Sequence, residues 1–169
     1  MTNFSEIKVS RDGERCTISF NRTEALNAIT PTMLEELNTA ATAASEDDSI
    51  RFVVLTGEGK SFSAGVDLKA LGERELVNGK VGDILDLPAR RLTSTLSSMP
   101  KVTIARVNGF CFTGALELAI SCDLLVVASN AKMGDTHAKF GLRPTWGLSQ
   151  RLPELVGLAK ARELSFTAR

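Results

Sequence analysis

The sequence predicts an α/β fold. Apolar, β-branched runs at residues 51–56, 102–107 and 124–128 read as buried strands of the parallel type, and segments of helical composition lie between them. At 169 residues one compact domain is the simplest organisation, and a chain of that length can bury roughly 70% of its unfolded surface.

Composition excludes several function classes. Twenty Lys and Arg balance twenty Asp and Glu, and the charges are well mixed, so neither nucleic acid nor an anionic membrane is an expected partner. Cys16, Cys111 and Cys122 are odd in number and widely spaced, without a C-x-x-C pair. That argues against a disulfide framework or a zinc site, and no His, Cys or carboxylate cluster has ligand spacing for another metal. The opening residues show no apolar signal-peptide core and no run approaches ~18 apolar residues, so the expectation is a soluble, cytoplasmic protein.

In chain order, residues 4–9 and 16–20 alternate apolar and polar about Asp12-Gly13, which predicts a hairpin. Residues 21–27 are polar and irregular. Thr30 is an N-cap ahead of Pro31, opening a helix over 31–44 with Met33, Leu34 and Leu37 on its apolar face. Residues 46–48 form an acidic surface turn. After the strand at 51–56, residues 57–61 (GEGKS) imitate the end of a phosphate-binding loop, but Val54 stands where that motif needs glycine and Gly65 interrupts the helix it should open. In residues 63–67, Gly65 permits an unusual backbone angle and Asp67 is a good N-cap for a helix beginning at 68–71. Residues 72–88 carry three glycines and no period, which predicts a loop or ragged helix; a helix resumes over 89–99 with Leu92 and Leu96, and Pro100 stops it. Residues 152–169 read as one helix after Pro153.

The richest stretch is residues 101–123, KVTIARVNGFCFTGALELAISCD. A strand runs to Val107, Asn108-Gly109 breaks it, and residues 115–121 are helical. Gly114 then stands at a helix start, whose amides lack intrahelical partners and can hold an oxyanion, and Glu117 lies within the first turn beside that opening. Glu117 also has a plain structural reading, because a negative charge there is favourable by ~0.3–1 kcal/mol.

VNGFCFTGALELAISCDLLVVASNAKMG (residues 107–134) resembles the signature region of the crotonase, or enoyl-CoA hydratase/isomerase, family. SFSAGVDLKAL at 61–71 is similar to the family's Ala-Gly-x-Asp-Leu turn, NRTEALNAI at 21–29 forms a third block, and QRLPELVG at 150–157 follows in the right order. The resemblance implies the crotonase (ClpP/crotonase) spiral of β-β-α units as a single acyl-CoA-binding domain over 1–169, lacking the family's C-terminal helices. No sequence-level repeat shows the spiral independently.

The resemblance further implies that the N–H groups of Val66 and Gly114 form an oxyanion hole for a thioester enolate, although the family usually carries a smaller residue at Val66. Glu117 would act on the water that adds to a 2-enoyl-CoA. Ala25, Leu26, Ala64, Asp67 and Leu68 would border the substrate, with coenzyme A entering as part of it and no separate cofactor. A second glutamate is expected twenty residues after the first, but His137 stands there; its unperturbed pKa near 6.5 suits acid or base work as well as a structural role. Asp135, if its segment is a strand, would lie ~6–7 Å from His137. Hydration of 2-enoyl-CoA is the first reading; double-bond isomerisation and a non-catalytic acyl-CoA binder remain open. A homotrimer or hexamer is implied if the family assembly is retained.

Overall fold

The computed structural model describes residues 3–69 and 78–169. The N-terminal hairpin forms as expected from β1 (Ile7–Asp12) and β2 (Arg15–Phe20), joined at Gly13, whose φ of 58° is left-handed. A 3-10 turn at Thr23–Ala25 leads to α1 (Pro31–Glu46), where the Thr30 hydroxyl caps the helix by accepting from the Met33 amide at 3.0 Å.

From there the chain repeats one pattern three times. β3 (Phe52–Gly57) and β4 (Ser61–Ser63) precede α2 (Asp83–Ser98), then β5 (Val102–Val107) and β6 (Phe110–Phe112) precede α3 (Gly114–Ala119). β7 (Leu124–Val127) and β8 (Lys132–Gly134) precede a 3-10 turn at His137–Phe140, α4 (Leu148–Val156) and α5 (Leu158–Thr167). The first strand of each pair joins a five-stranded sheet, β1-β2-β3-β5-β7, and the second joins a three-stranded sheet, β4-β6-β8. Every pairing after the hairpin is parallel. This is the β-β-α spiral that the resemblance implied.

One core serves both sheets. Ile18, Phe20, Leu55 and Val107 of the large sheet form a single buried cluster with Met33, Leu34 and Leu37 of α1 and Leu85, Leu92 and Leu96 of α2. Each such side chain contributes about 1.5–3 kcal/mol. Phe20 meets Phe62 of β4 edge to face, ring centroids 5.0 Å apart, which locks the large sheet to the small one.

Three expectations need correction. β7 is not buried: it is an edge strand with one neighbour, and Leu124, Val126 and Val127 are exposed. α2 starts before Pro88, at Asp83; the proline costs one helical hydrogen bond, to the carbonyl of Ile84, itself an exposed residue. The C-terminal segment is two helices broken at Gly157 (φ 79°), with Pro153 inside the first. Residues 57–61 lead into strand β4, so the helix that a nucleotide phosphate loop requires does not follow. The helix expected from 68–71 and the loop expected from 72 lie largely on residues 70–77, outside the described residues.

Candidate active site

The carboxyl ends of the three parallel strands of the small sheet lie side by side, and the segments leaving them share one cavity. β4 delivers Ala64, Val66 and Leu68, β6 delivers Thr113, Gly114 and Glu117, and β8 delivers His137. With Trp146 these residues line a cavity of about 70 Å³. A crevice beyond the carboxyl ends of parallel strands is where α/β folds commonly bind ligands.

Close approach of the first two loops depends on Gly65. Its φ is 97°, and a Cβ there would overlap the Thr113 hydroxyl oxygen and sit 2.9 Å from the Phe112 carbonyl oxygen. Thr113 accepts an unfavourable φ of 49° at the same junction.

The amide of Val66 is directed by its neighbours. Ile29 bridges Val66 in parallel fashion, the Ile29 amide donating to Gly65 O at 2.8 Å and the Asp67 amide donating to Ile29 O at 2.9 Å. In that pattern the peptide groups of Val66 itself turn away from residue 29. Among the described residues, neither the Val66 nor the Gly114 amide has a backbone hydrogen-bond acceptor. Gly114 is needed as glycine, because a Cβ would lie 2.8 Å from Trp146 Cη2, too close for any real contact.

Glu117 is 1% exposed and held from two sides. Its Oε1 accepts from the amides of Trp146 (2.9 Å) and Leu148 (3.0 Å), and its Oε2 lies 3.5 Å from His137 Nε2. On the far side of the imidazole, Nδ1 is 2.7 Å from Asp135 Oδ1. Asp135 is therefore much closer to His137 than a strand geometry would allow. β8 ends at Gly134, and the 3-10 turn beginning at His137 folds the two side chains together, with the His137 amide also donating to Asp135 Oδ1 at 3.2 Å.

This buried carboxylate–imidazole–carboxylate row sets the charge of His137. Burial alone would lower its pKa, but the hydrogen bond to Asp135 and the carboxylate of Glu117 outweigh it and push the pKa up to about 9. Burial would raise the Asp135 pKa, and hydrogen bonds from His137 and from the Ser165 hydroxyl of α5 hold it below its ordinary value instead. Burial pushes the Cys122 thiol up to about 12 and Cys111 higher still, so neither is a ready nucleophile at neutral pH.

The comparisons with known proteins agree with this architecture. Residues 12–169 match the enoyl-CoA hydratase/isomerase family. The chain belongs to that family. It is 39% identical over 166 residues to a probable peroxisomal enoyl-CoA hydratase 1 of Arabidopsis thaliana, covering 98% of this chain and 60% of that protein. It is 35% identical to a crotonyl-CoA hydratase of Syntrophomonas wolfei, covering 98% of this chain and 63% of that one. An enoyl-CoA hydratase structure from Bacillus anthracis superposes with a TM-score of 0.89 at 32% identity, covering 98% of this chain and 64% of the other. The chain thus spans about 60% of the length of the curated relatives it matches.

Within this member of the hydratase/isomerase family, the cavity gathers Ala64, Val66, Leu68, Gly114, Glu117 and His137 of the residues singled out from sequence. Ala25, Leu26 and Asp67 do not line it. Leu26 supports the first loop from behind, its carbonyl accepting from the Ala64 amide at 3.0 Å, while Ala25 ends the 3-10 turn. Asp67 forms an ion pair with Arg22 at 3.0 Å, and its Oδ1 accepts from the Lys69 amide at 3.1 Å, the local bond of a capping residue. Arg22 also donates to Ala28 O and faces Glu6 at 3.5 Å, tying the 21–29 block to the 63–67 turn.

Sequence reasoning missed three contributors to the site. Asp135 was set aside on a strand assumption. The amides of Trp146 and Leu148 come from the irregular entry to α4 and that helix's first residue. Asn27, fully buried with a left-handed φ of 56°, donates to the carbonyls of Glu58 and Ser61 and so fixes the β3–β4 connection, a side-chain role that nothing in the sequence signalled. Among the described residues no group of three or more His, Cys, Asp or Glu could hold a metal ion, and no helix is long and apolar enough to cross a membrane.

Proposed function

We infer that the protein hydrates 2-enoyl-CoA thioesters. The observation that carries this reading is that Val66 and Gly114, whose amides have no backbone acceptor among the described residues, line one small cavity together with a clamped Glu–His pair. Glu117 takes a proton from water as the oxygen bonds to C3 of the enoyl group. The displaced electron pair moves onto the thioester oxygen, where the N–H groups of Val66 and Gly114 hold it; one well-placed donor of this kind contributes roughly 3–4 kcal/mol to the transition state. His137, charged through its two carboxylate neighbours, gives its Nε2 proton to C2, and the enolate collapses to the 3-hydroxyacyl thioester. Glu117 is then protonated and His137 neutral, so proton return across their 3.5 Å separation restores the site.

Ala64 and Leu68 border the acyl-thioester end in this scheme, whereas Ala25, Leu26 and Asp67 act by shaping the loop that carries Val66. Coenzyme A arrives with the substrate, and the chemistry asks for no further cofactor. A cytoplasmic site and the homotrimer or hexamer implied by the resemblance belong to the same proposal; the three free, buried cysteines are compatible with a reducing compartment.

One observation favours a second reading. Among the described residues that line the cavity Glu117 is the single carboxylate, and a double-bond isomerase needs one carboxylate to carry a proton between C2 and C4. The test is to follow loss of the conjugated enoyl-thioester absorbance with crotonyl-CoA, and its appearance with a 3-enoyl-CoA. Turnover of crotonyl-CoA that is lost in Glu117→Gln supports the hydratase; turnover of the 3-enoyl substrate alone supports the isomerase; binding without either marks a non-catalytic acyl-CoA binder.

A further inference from the structure

Asp86 is a buried carboxylate outside the reaction scheme. It is 1% exposed in the first turn of α2, its Oδ1 accepts from the Thr145 hydroxyl at 2.6 Å and from the Trp146 indole Nε1–H at 2.9 Å, and its Oδ2 has no hydrogen-bond partner among the described residues. Burying a carboxylate with one oxygen unserved weakens a fold. What Asp86 supplies in return is a fixed place for the 145–146 segment. Trp146 in turn touches both halves of the site: its backbone amide donates to Glu117 Oε1 at 2.9 Å, and its ring packs so tightly under Gly114 that a Cβ there would lie 2.8 Å from Cη2. Glu117 and Gly114 share α3, whereas Asp86 reaches them from a different helix, α2.

We propose that Asp86 is a positioning residue which, through Trp146, sets the Glu117 carboxylate and the Gly114 amide against the reacting thioester. This rests on the hydratase reading of the site. It makes α2 part of the catalytic apparatus although none of its residues lines the cavity.

Trp146 is the only tryptophan, so its indole N–H gives a unique resonance that reports the contact without activity. Asp86→Ala is expected to lower kcat on crotonyl-CoA by ~10- to 100-fold with KM within about threefold, as misplacement of a catalytic group does, and to shift both the indole and the backbone amide resonances of Trp146. Asp86→Asn keeps an oxygen acceptor and is expected to restore most of kcat. Trp146→Phe, which keeps an aromatic ring but removes the donor, should also lower kcat, and the double variant with Asp86→Ala should fall no further than the worse single one.

An Asp86→Ala protein with native unfolding temperature and unchanged kcat overturns the proposal, as do additive losses in the double variant. If Asp86→Ala does not fold, Trp146→Phe with unchanged kcat overturns it equally. If the unaltered protein does not hydrate crotonyl-CoA, the hydratase reading fails by itself; the positioning claim then stands if Asp86→Ala moves the Trp146 amide resonance and falls if it leaves it in place.

Discussion

Gly65 and Thr113 are packed so closely that no side-chain carbon fits between them, and this contact joins the two loops that carry the Val66 and Gly114 amides. The small sheet brings the ends of β4 and β6 alongside each other; the missing Cβ lets them close the remaining distance. Gly65→Ala should therefore destabilise the protein by at least ~2 kcal/mol, combining a left-handed φ with overpacking against Thr113. Thermal unfolding checks it, and adding Thr113→Ala should recover only part of the loss, since the backbone strain and the approach to Phe112 O remain.

Thr113 itself carries strain. At φ 49° and ψ −120° it occupies a region that glycine adopts freely. Thr113→Gly is expected to raise stability by ~0.5–2 kcal/mol, strain relief exceeding the added chain entropy. A lower unfolding midpoint in urea would contradict it.

Protonation of His137 links stability and activity to pH. Its folded pKa of about 9 lies above the ordinary 6.5, so the folded state binds the proton more tightly than the unfolded one. The stabilisation, on the order of 3 kcal/mol, is complete below about pH 6.5 and is lost as pH rises through about 9. Asp135, with its pKa lowered, contributes in the opposite direction, its share being lost only as pH falls through the acid range. Unfolding free energy should decline from about pH 6.5 to 8.5 in wild type and lose that decline in His137→Gln, whereas above about pH 9 the buried thiols of Cys111 and Cys122 add a decline that both proteins share. kcat should fall over the same basic limb.

Glu117→Gln keeps an oxygen for the Trp146 and Leu148 amides, so the segment they come from should stay in place, while the fold loses the part of the His137 stabilisation that the Glu117 carboxylate supplies. Its kcat should fall by ~10²–10⁴-fold, the range for removing a positioned acid–base group. Because the carboxylate facing His137 Nε2 is gone, the His137 pKa should also move down, a shift readable in the imidazole resonances.

Much of this was legible before any coordinates. Thr30-Pro31 opened α1 at the residue expected, and the long strands at 52–57 and 102–107 declared themselves by their apolar runs. The small sheet did not, because its strands (SFS, FCF and KMG) are three residues each, too short to show a period of two. The spiral hid for a related reason: β3 begins at Phe52, β5 at Val102 and β7 at Leu124, so its turns are unequal and leave no repeat. The family resemblance pointed to Glu117 and His137, but the clamp that makes them a pair was not legible in it. That clamp depends on the Trp146 and Leu148 amides at the entry to α4, whose path is set by tertiary contacts, among them Asp86 on α2.

In the proposed mechanism the amides of Val66 and Gly114 meet at one thioester oxygen. The most direct measurement is the ¹H–¹⁵N spectrum of the protein titrated with acetoacetyl-CoA, whose enolate places negative charge on that oxygen. The account predicts that the Val66 and Gly114 amide signals both move downfield, saturating together at one dissociation constant. Saturable binding that leaves either signal unmoved would contradict it.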